Sequence, residues 1–396
     1  MRIGVNCFLL QPAMGGIKQY FVTLFDELLA NDQKNQYVFF YSEQNRGELE
    51  VLGPDRVARQ GILIESQRDI RKYLPEIDLY FCPFGSLIPR PLPIPTVVTI
   101  VDIQEVYFPD FFTFHNLVAR YWHYVGSSKM ADQVVTISEF SKDTLIKHHH
   151  IPAEKITVAH LCADQRFYQA REIAERPAAD LPEKYVFYPA NRWLHKNHDV
   201  LLHALAWLRD AKHFTVNAVF TGYDQENGYS IEQKAAEYGL SDQVFQLGYV
   251  SVEELAYLYV HAELLVFPSL FEGFGIPLVE AMAAGCPVLA SDRASLPEVG
   301  GDGAAYFDPS SPKALGESLF GLLNSGSLRE ELRSRGYERA RDFPASTMAQ
   351  CHLQAFHKAE QSFSRAKFLY LRLWAKYLHM LRTLIRAFLL LLRIGV

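Results

Sequence analysis

Glu272 and Glu280 lie eight residues apart in the segment of the chain best equipped for chemistry, Phe267 to Gly285. An apolar run ends at Phe267, a loop carrying Gly273 and Gly275 follows, and the pattern predicts a helix from Ile276. Pro277 suits a first helical turn, where its missing N–H costs nothing, and Gly285 suits the helix stop. The two glycines let backbone approach a ligand closely. A helix start presents unpaired N–H groups and the positive end of the helix dipole, a combination that favours phosphate. Glu280 would sit about one turn inside, within reach of ribose hydroxyls, and Glu272 on the loop would meet whatever hangs beyond the phosphates. The plainer reading has Glu272 capping the helix and Glu280 solvated; the strand, paired glycines, proline and apolar helix around them favour a site.

A second strand-to-helix turn supports this. After the apolar run Tyr185 to Pro189 comes Ala190-Asn191-Arg192-Trp193-Leu194-His195-Lys196-Asn197-His198. Arg192 and Lys196 bracket the turn. Two cations there could neutralise a diphosphate, the guanidinium binding two oxygens at once. A solvated turn whose charges fall there by chance is the alternative.

The elements that must hold these loops read as strand, loop and helix in repetition. Runs such as Val97 to Val101 and Val134 to Ile137 are short and mostly apolar, as strands buried on both faces are, and longer helical stretches follow them. The pattern restarts at Tyr185 and continues through Val216 to Thr221, Val244 to Leu247, Leu264 to Phe267 and Val288 to Ala290. The expectation is an α/β chain of two doubly wound, Rossmann-like parallel-sheet domains facing across a cleft, with ligands outside the carboxyl ends of the strands. Residues 1–165 would form the first domain, 166–184 a linker marked by Pro177 and Pro182, and 185–343 the second domain. Residues 344–363 would cross back to the first domain, and 364–396 would form a basic amphipathic tail.

At 396 residues and a net charge of −6, the chain is large enough for two cores and is not a general polyanion binder, which argues against nucleic acid as the partner. Its five cysteines, Cys7, Cys82, Cys162, Cys286 and Cys351, are scattered and never form a CxxC pair, so neither a disulfide framework nor a zinc site is expected. His148-His149-His150 lacks acids or cysteines at ligand spacing and is not read as a metal site; no metal is assigned. With no secretory signal before Ile3 and no apolar run of the ~20 residues a spanning helix needs, a cytoplasmic location is expected.

The segment Glu272 to Val288 resembles the Glu-x7-Glu signature of retaining glycosyltransferases of family 4, which have the GT-B fold. Arg192-x3-Lys196-Asn197 resembles that family's diphosphate pair, and Gly15-Gly16-Ile17 its N-terminal glycine loop. Asp102 to Phe112 is similar to its acceptor-side segment, and Ser138-Glu139-Phe140-Ser141 to a helix start of the family. The resemblance implies a nucleotide-diphosphate sugar as donor, with no separate cofactor and no metal. Arg192 and Lys196 would hold the diphosphate, Glu280 the ribose and Glu272 the sugar hydroxyls, with Gly273, Phe274, Gly275 and Leu278 completing the pocket and Gly16 near the phosphates. Many relatives carry His-Asp where this chain has Val101-Asp102. Val101 cannot hydrogen-bond through its side chain, so either Asp102 orients or deprotonates the acceptor or the acceptor is bound differently. The implied reaction is transfer of a mannose- or glucose-type hexose, with retained configuration, to a glycan or lipid-linked acceptor of a surface polysaccharide. The identity of the base, UDP or GDP, stays open. A GT-B-like epimerase or phosphorylase, and a non-catalytic assembly partner, are the alternatives.

The tail from Ser364 contains Arg365, Lys367, Arg372, Lys376, Arg382, Arg386 and Arg393 and no acid. At helical spacing all but Lys367 fall within an arc of roughly 120°, shared by His379 and Thr383. Leu373, Trp374, Tyr377, Leu381, Leu384, Phe388 and Leu391 take the other side. Such a helix can lie on an anionic membrane surface, as a peripheral contact on the inner face, or pack against the body or a partner.

Overall fold

The computed structural model describes residues 1–11, 15–223 and 230–392. The chain forms two compact units, the first comprising residues 1–161 and 345–396 and the second residues 162–344.

Among the described residues unit 1 holds a seven-stranded sheet: β1 (Arg2–Asn6), β2 (Gln36–Tyr41), β3 (Gly61–Leu63), β4 (Leu79–Cys82), β5 (Thr96–Thr99), β6 (Gln133–Thr136) and β7 (Ile156–Val158). Their order is β3-β2-β1-β4-β5-β6-β7, and each neighbouring pair is parallel. Unit 2 holds β8 (Val186–Pro189), β9 (Ala218–Thr221), β10 (Val244–Gln246), β11 (Leu264–Phe267), β12 (Val288–Ser291) and β13 (Ala304–Phe307), in the order β10-β9-β8-β11-β12-β13, again all parallel. β5, β9, β11 and β12 are buried along their whole length. That explains their mostly apolar composition: no position of these strands is left for water. In both sheets the strand order reverses beside the first strand, at β1/β4 and at β8/β11, where a doubly wound sheet opens a crevice for ligands.

The stretch 166–184, read from its prolines as a linker, belongs to unit 2. Phe167 is buried and its ring stands edge-on to Tyr259 at 5.6 Å. Aromatic burial, which its polar composition concealed, fastens this stretch to the body.

The helix Ala345–Ser362 returns to unit 1. His352 Nε2 lies 2.7 Å from the Tyr20 hydroxyl, which is also 2.9 Å from Thr99 Oγ1. Phe356 packs edge-on to Phe81 at 5.2 Å. The last residues form the helix Arg365–Tyr370 and, after one π turn, the helix Lys376–Leu391. Arg393 lies outside the described residues, as do the side chains of Trp374 and Lys376. No helix among the described residues is long and apolar enough to cross a membrane.

Burial holds the His352 imidazole near pKa 4, opposed only in part by its hydrogen bond to the Met348 carbonyl. An unfolded chain takes up this proton near pH 6.5, so stability tied to neutral His352 is present above that pH and is lost as pH falls toward 4. About 2 kcal/mol should disappear between pH 7 and pH 5 from this residue. Urea unfolding at the two pH values checks it: His352→Asn should lose less than the wild type over the same interval.

Candidate functional site

β8 and β11 are hydrogen-bonded neighbours, with Leu264 opposite Val186 and Leu265 opposite Phe187, so the loops after them leave the sheet side by side. These are the two loops singled out by their residues. The structure joins them at four points. Leu270 N donates to His195 O at 2.7 Å. Asn197 Nδ2 donates to Pro268 O at 3.1 Å and to Pro309 O at 3.0 Å. The Tyr188 hydroxyl donates to Lys196 O at 2.6 Å and lies 3.3 Å from Ser269 Oγ. Finally, Lys196 Nζ meets Glu272 Oε1 at 2.6 Å, with the two side chains only 17% and 12% exposed. Asn197 achieves its contacts from a left-handed backbone, φ +57°, a conformation asparagine tolerates better than most residues.

A third loop, after β12, supports the glycine loop from beneath. The buried Ser295 hydroxyl is shared between Glu272 O at 2.9 Å and Phe274 O at 3.0 Å, and Ser291 Oγ donates to Ser269 O at 2.7 Å. The sequence reading passed over Ser291 and Ser295. Ser291 ends the strand β12 and Ser295 follows it, so inspection of every strand end and loop at the carboxyl edge would have found them. Gly275 stands at φ +101°, and a Cβ there would meet Leu296 Cδ2 at 2.7 Å, so the helix Ile276–Ala283 starts where only glycine fits.

Glu280 lies within that helix, buried, and accepts a hydrogen bond from the Tyr259 hydroxyl at 3.0 Å. It is therefore not the solvated helix residue of the plainer reading. Burial, and then the neighbouring Glu280 carboxylate, push the Tyr259 phenol well above its usual range, so it remains a donor at any physiological pH.

Arg192 differs most from expectation. It is 2% exposed rather than displayed on the turn. Its Nη1 donates to the carbonyls of Ala190, Thr221 and Gly222 at 3.1–3.3 Å, and its Nη2 to Gln246 Oε1 at 2.6 Å. The carbonyls at the ends of β8 and β9 converge on one point, and a guanidinium with several coplanar donors satisfies them together. Lys196, not Arg192, is thus the cation bound to Glu272. Both cations nonetheless act on the same region. Burial first, then Arg192 and later Lys196, hold the His198 imidazole down near pKa 3, so it sits neutral against the Tyr188 ring.

Phe274 is buried edge-on to Phe343 at 5.4 Å. Leu278, expected among the donor contacts, is fully buried, and its amide donates to Gly275 O at 3.0 Å. Gly273 and Gly275 remain the backbone positions that open the loop.

Gly16 and Asp102 belong to unit 1, each beyond the carboxyl end of a strand, β1 and β5. Gly16 is exposed at the start of the helix Gly16–Asn31, after Gly15 at φ +52°. The half-buried Asp102 accepts from Gln104 N at 3.2 Å. Val101 uses its carbonyl to receive Ser141 Oγ at 3.0 Å, fixing the helix start Ser138 to Ser141. No group of three or more His, Cys, Asp and Glu suited to a metal ion occurs among the described residues.

Residues 169–339 match the family model described as glycosyl transferases group 1. The match lies inside unit 2 and contains both loops and Ser295. The chain is 31% identical over 222 residues to O-antigen chain mannosyltransferase B of Escherichia coli, covering 54% of this chain and 57% of that protein. It is 34% identical over 237 residues to the MMP alpha-(1->4)-mannosyltransferase of Mycolicibacterium hassiacum, covering 57% and 54%. The chain thus matches little more than half the length of these relatives. Among solved structures, Anabaena HepE in complex with UDP-glucose has a TM-score of 0.69 at 18% identity, covering 90% of this chain and 99% of that one. A glycosyltransferase of Rickettsia africae gives 0.65 at 15% identity, covering 90% and 98%. At these identities the likeness is one of fold, and the fold class is that of GT-B glycosyltransferase structures.

The buried Ser295 hydroxyl holds two loop carbonyls, of Glu272 and Phe274. Ser295→Ala should therefore cost about 1–3 kcal/mol, the penalty for stranding buried acceptors. Denaturant unfolding of purified protein measures it; a change below a few tenths would mean that the loop carbonyls find other partners.

Proposed function

We propose that the chain is a retaining glycosyltransferase. It would move a hexose, mannose rather than glucose, from a nucleotide-diphosphate sugar to a glycan or lipid-linked acceptor in surface polysaccharide synthesis. The observation that carries this reading is the sequestered Lys196–Glu272 pair, set between two cross-bonded loops in front of a glycine-opened helix start. The family match over the same residues and the mannosyltransferases among the relatives support it.

On this reading the resting ion pair exchanges partners when the donor arrives. Lys196 turns to the diphosphate, and Glu272, released, accepts from hydroxyls of the sugar. Arg192, held by carbonyls and Gln246, contributes its charge from beneath the turn. The helix start at Gly275 and Ile276 faces the leaving diphosphate with backbone N–H groups and the positive dipole end. As the glycosidic bond to phosphate breaks, these groups stabilise the negative charge that develops on the leaving oxygen. Glu280, fixed by Tyr259, takes the ribose hydroxyls. The acceptor hydroxyl attacks from the face the diphosphate leaves and passes its proton to the departing phosphate, which retains the anomeric configuration. Asp102 would orient that hydroxyl and Gly16 would approach the phosphates. No metal is required, since the cations and the helix start carry the charge. A lipid-linked acceptor would bring the protein to the cytoplasmic face of a membrane, with residues 364–396 as the contact.

Val101, at a position where relatives of the resembled family carry histidine, favours one alternative: a GT-B protein that assists assembly without turnover. Donor turnover separates the readings. GDP-mannose at a hundredfold excess over its Kd should stabilise the fold by about 2.7 kcal/mol over the free protein, and UDP-glucose at the same concentration should raise Tm less. Lys196→Ala and Glu272→Gln should each lower kcat/KM about a hundredfold or more, the scale of losing one charge-stabilising contact at the transition state. Near wild-type rates for both variants would remove the proposal, and release of an altered free sugar nucleotide would point to the epimerase.

A further inference from the structure

The tail is docked through part of its polar arc, while Arg372 and Arg382 of the same arc stay exposed. His379 and Thr383, from the polar arc, are buried, whereas the apolar side faces out, with Leu384 and Phe388 each 61% exposed. A helix at a protein surface in water ordinarily shows the reverse arrangement. The inward contacts are specific. His379 Nε2 lies 3.0 Å from Trp122 O, and its ring stacks on Trp122 at 4.8 Å. Arg386 sits over the Tyr121 ring at 4.9 Å, and Lys367 pairs with Asp132 at 2.7 Å. Gly126 permits the approach: a Cβ there would meet His379 Nε2 at 2.5 Å and Arg90 Nη2 at 2.6 Å. The outward stripe includes Tyr370, Leu373, Tyr377, Leu381, Leu384 and Phe388, all more than half exposed.

We infer that this stripe is a membrane-docking surface, a preformed interfacial helix that unit 1 lays flat into an anionic bilayer. Charge selects the occupant. Ser364 to Leu392 contains no Asp or Glu, and Arg372 and Arg382 are exposed along the helix. Pairing with a second copy of the helix through the stripe would set cations against cations with no acid to relieve them. Anionic headgroups supply the missing charge, and the acyl boundary takes the leucines and Phe388 while tyrosines suit the headgroup level. Nearby, the Lys129 ammonium is held below its usual pKa by burial and then by Arg382, a further sign of positive charge concentrated at this seam. The helix lies in the plane, since no described helix can span.

The inference extends the membrane contact named with the proposed transferase. Flotation reads it without donor or acceptor, so its failure and the failure of the transferase reading are separate results. The full chain is floated with vesicles of phosphatidylcholine alone or mixed with phosphatidylglycerol. The wild type should rise with the anionic vesicles, less so at high salt, and little with neutral ones. Leu384→Asp/Phe388→Asp should bind at least roughly tenfold more weakly, and Arg372→Gln/Arg382→Gln by a similar factor with a shallower salt dependence. Because these side chains are exposed, Tm should stay at the wild-type value; Leu381→Asp is a second probe should the double variant melt early. Wild type left at the bottom of the gradient with anionic vesicles overturns the inference. So does a Leu384→Asp/Phe388→Asp variant that floats like wild type, or one that turns a dimer into a monomer in light scattering.

Discussion

The ion pair between Lys196 and Glu272 ties together what the sheet of unit 2 merely places side by side. The two charges are largely shielded from water at 2.6 Å, an environment where either alone would be costly and where the pair is satisfied. Such a pair keeps both side chains poised over the glycine loop. It also sets a condition on any ligand: an anion must satisfy the ammonium and donors must satisfy the carboxylate for the pair to open. A diphosphate attached to a polyhydroxyl group meets both requirements.

The surroundings divide the work. Arg192 gathers carbonyls from the ends of β8 and β9, and Tyr188 reaches the Lys196 carbonyl in one loop and the Ser269 hydroxyl in the other. Ser291 at the end of β12, with Ser295 and Asn197, holds further loop carbonyls. Groups that fix backbone are uncharged or buried, and the charged pair that would meet a ligand stands on backbone already fixed. Preorganisation of this kind lets a site stabilise developing charge without rearranging itself.

Much of this was legible from the residues. Short, mostly apolar runs located the buried parallel strands because strand positions there are shielded from water, and the glycines and Pro277 located the loop and helix start because few residues fit those backbone geometries. Other features depended on distant partners. Arg192 looked like a surface cation because nothing in its local sequence announces Gln246 on another strand or the converging carbonyls. The segment 166–184 looked like a linker because its polar composition outweighed Phe167. For the tail, periodicity marked out a polar arc, but which of its residues met the protein depended on Trp122, Tyr121 and Gly126, far away in the chain.

The return of the helix Ala345–Ser362 to unit 1 has a consequence for biogenesis. Tyr20 finds His352 across 332 residues, whereas unit 2 is one continuous stretch. On the ribosome, unit 2 can close as soon as it has emerged, while the earlier-made sheet of unit 1 still lacks the helix that covers Phe81. The core of unit 1 is therefore completed only by residues made after the whole of unit 2.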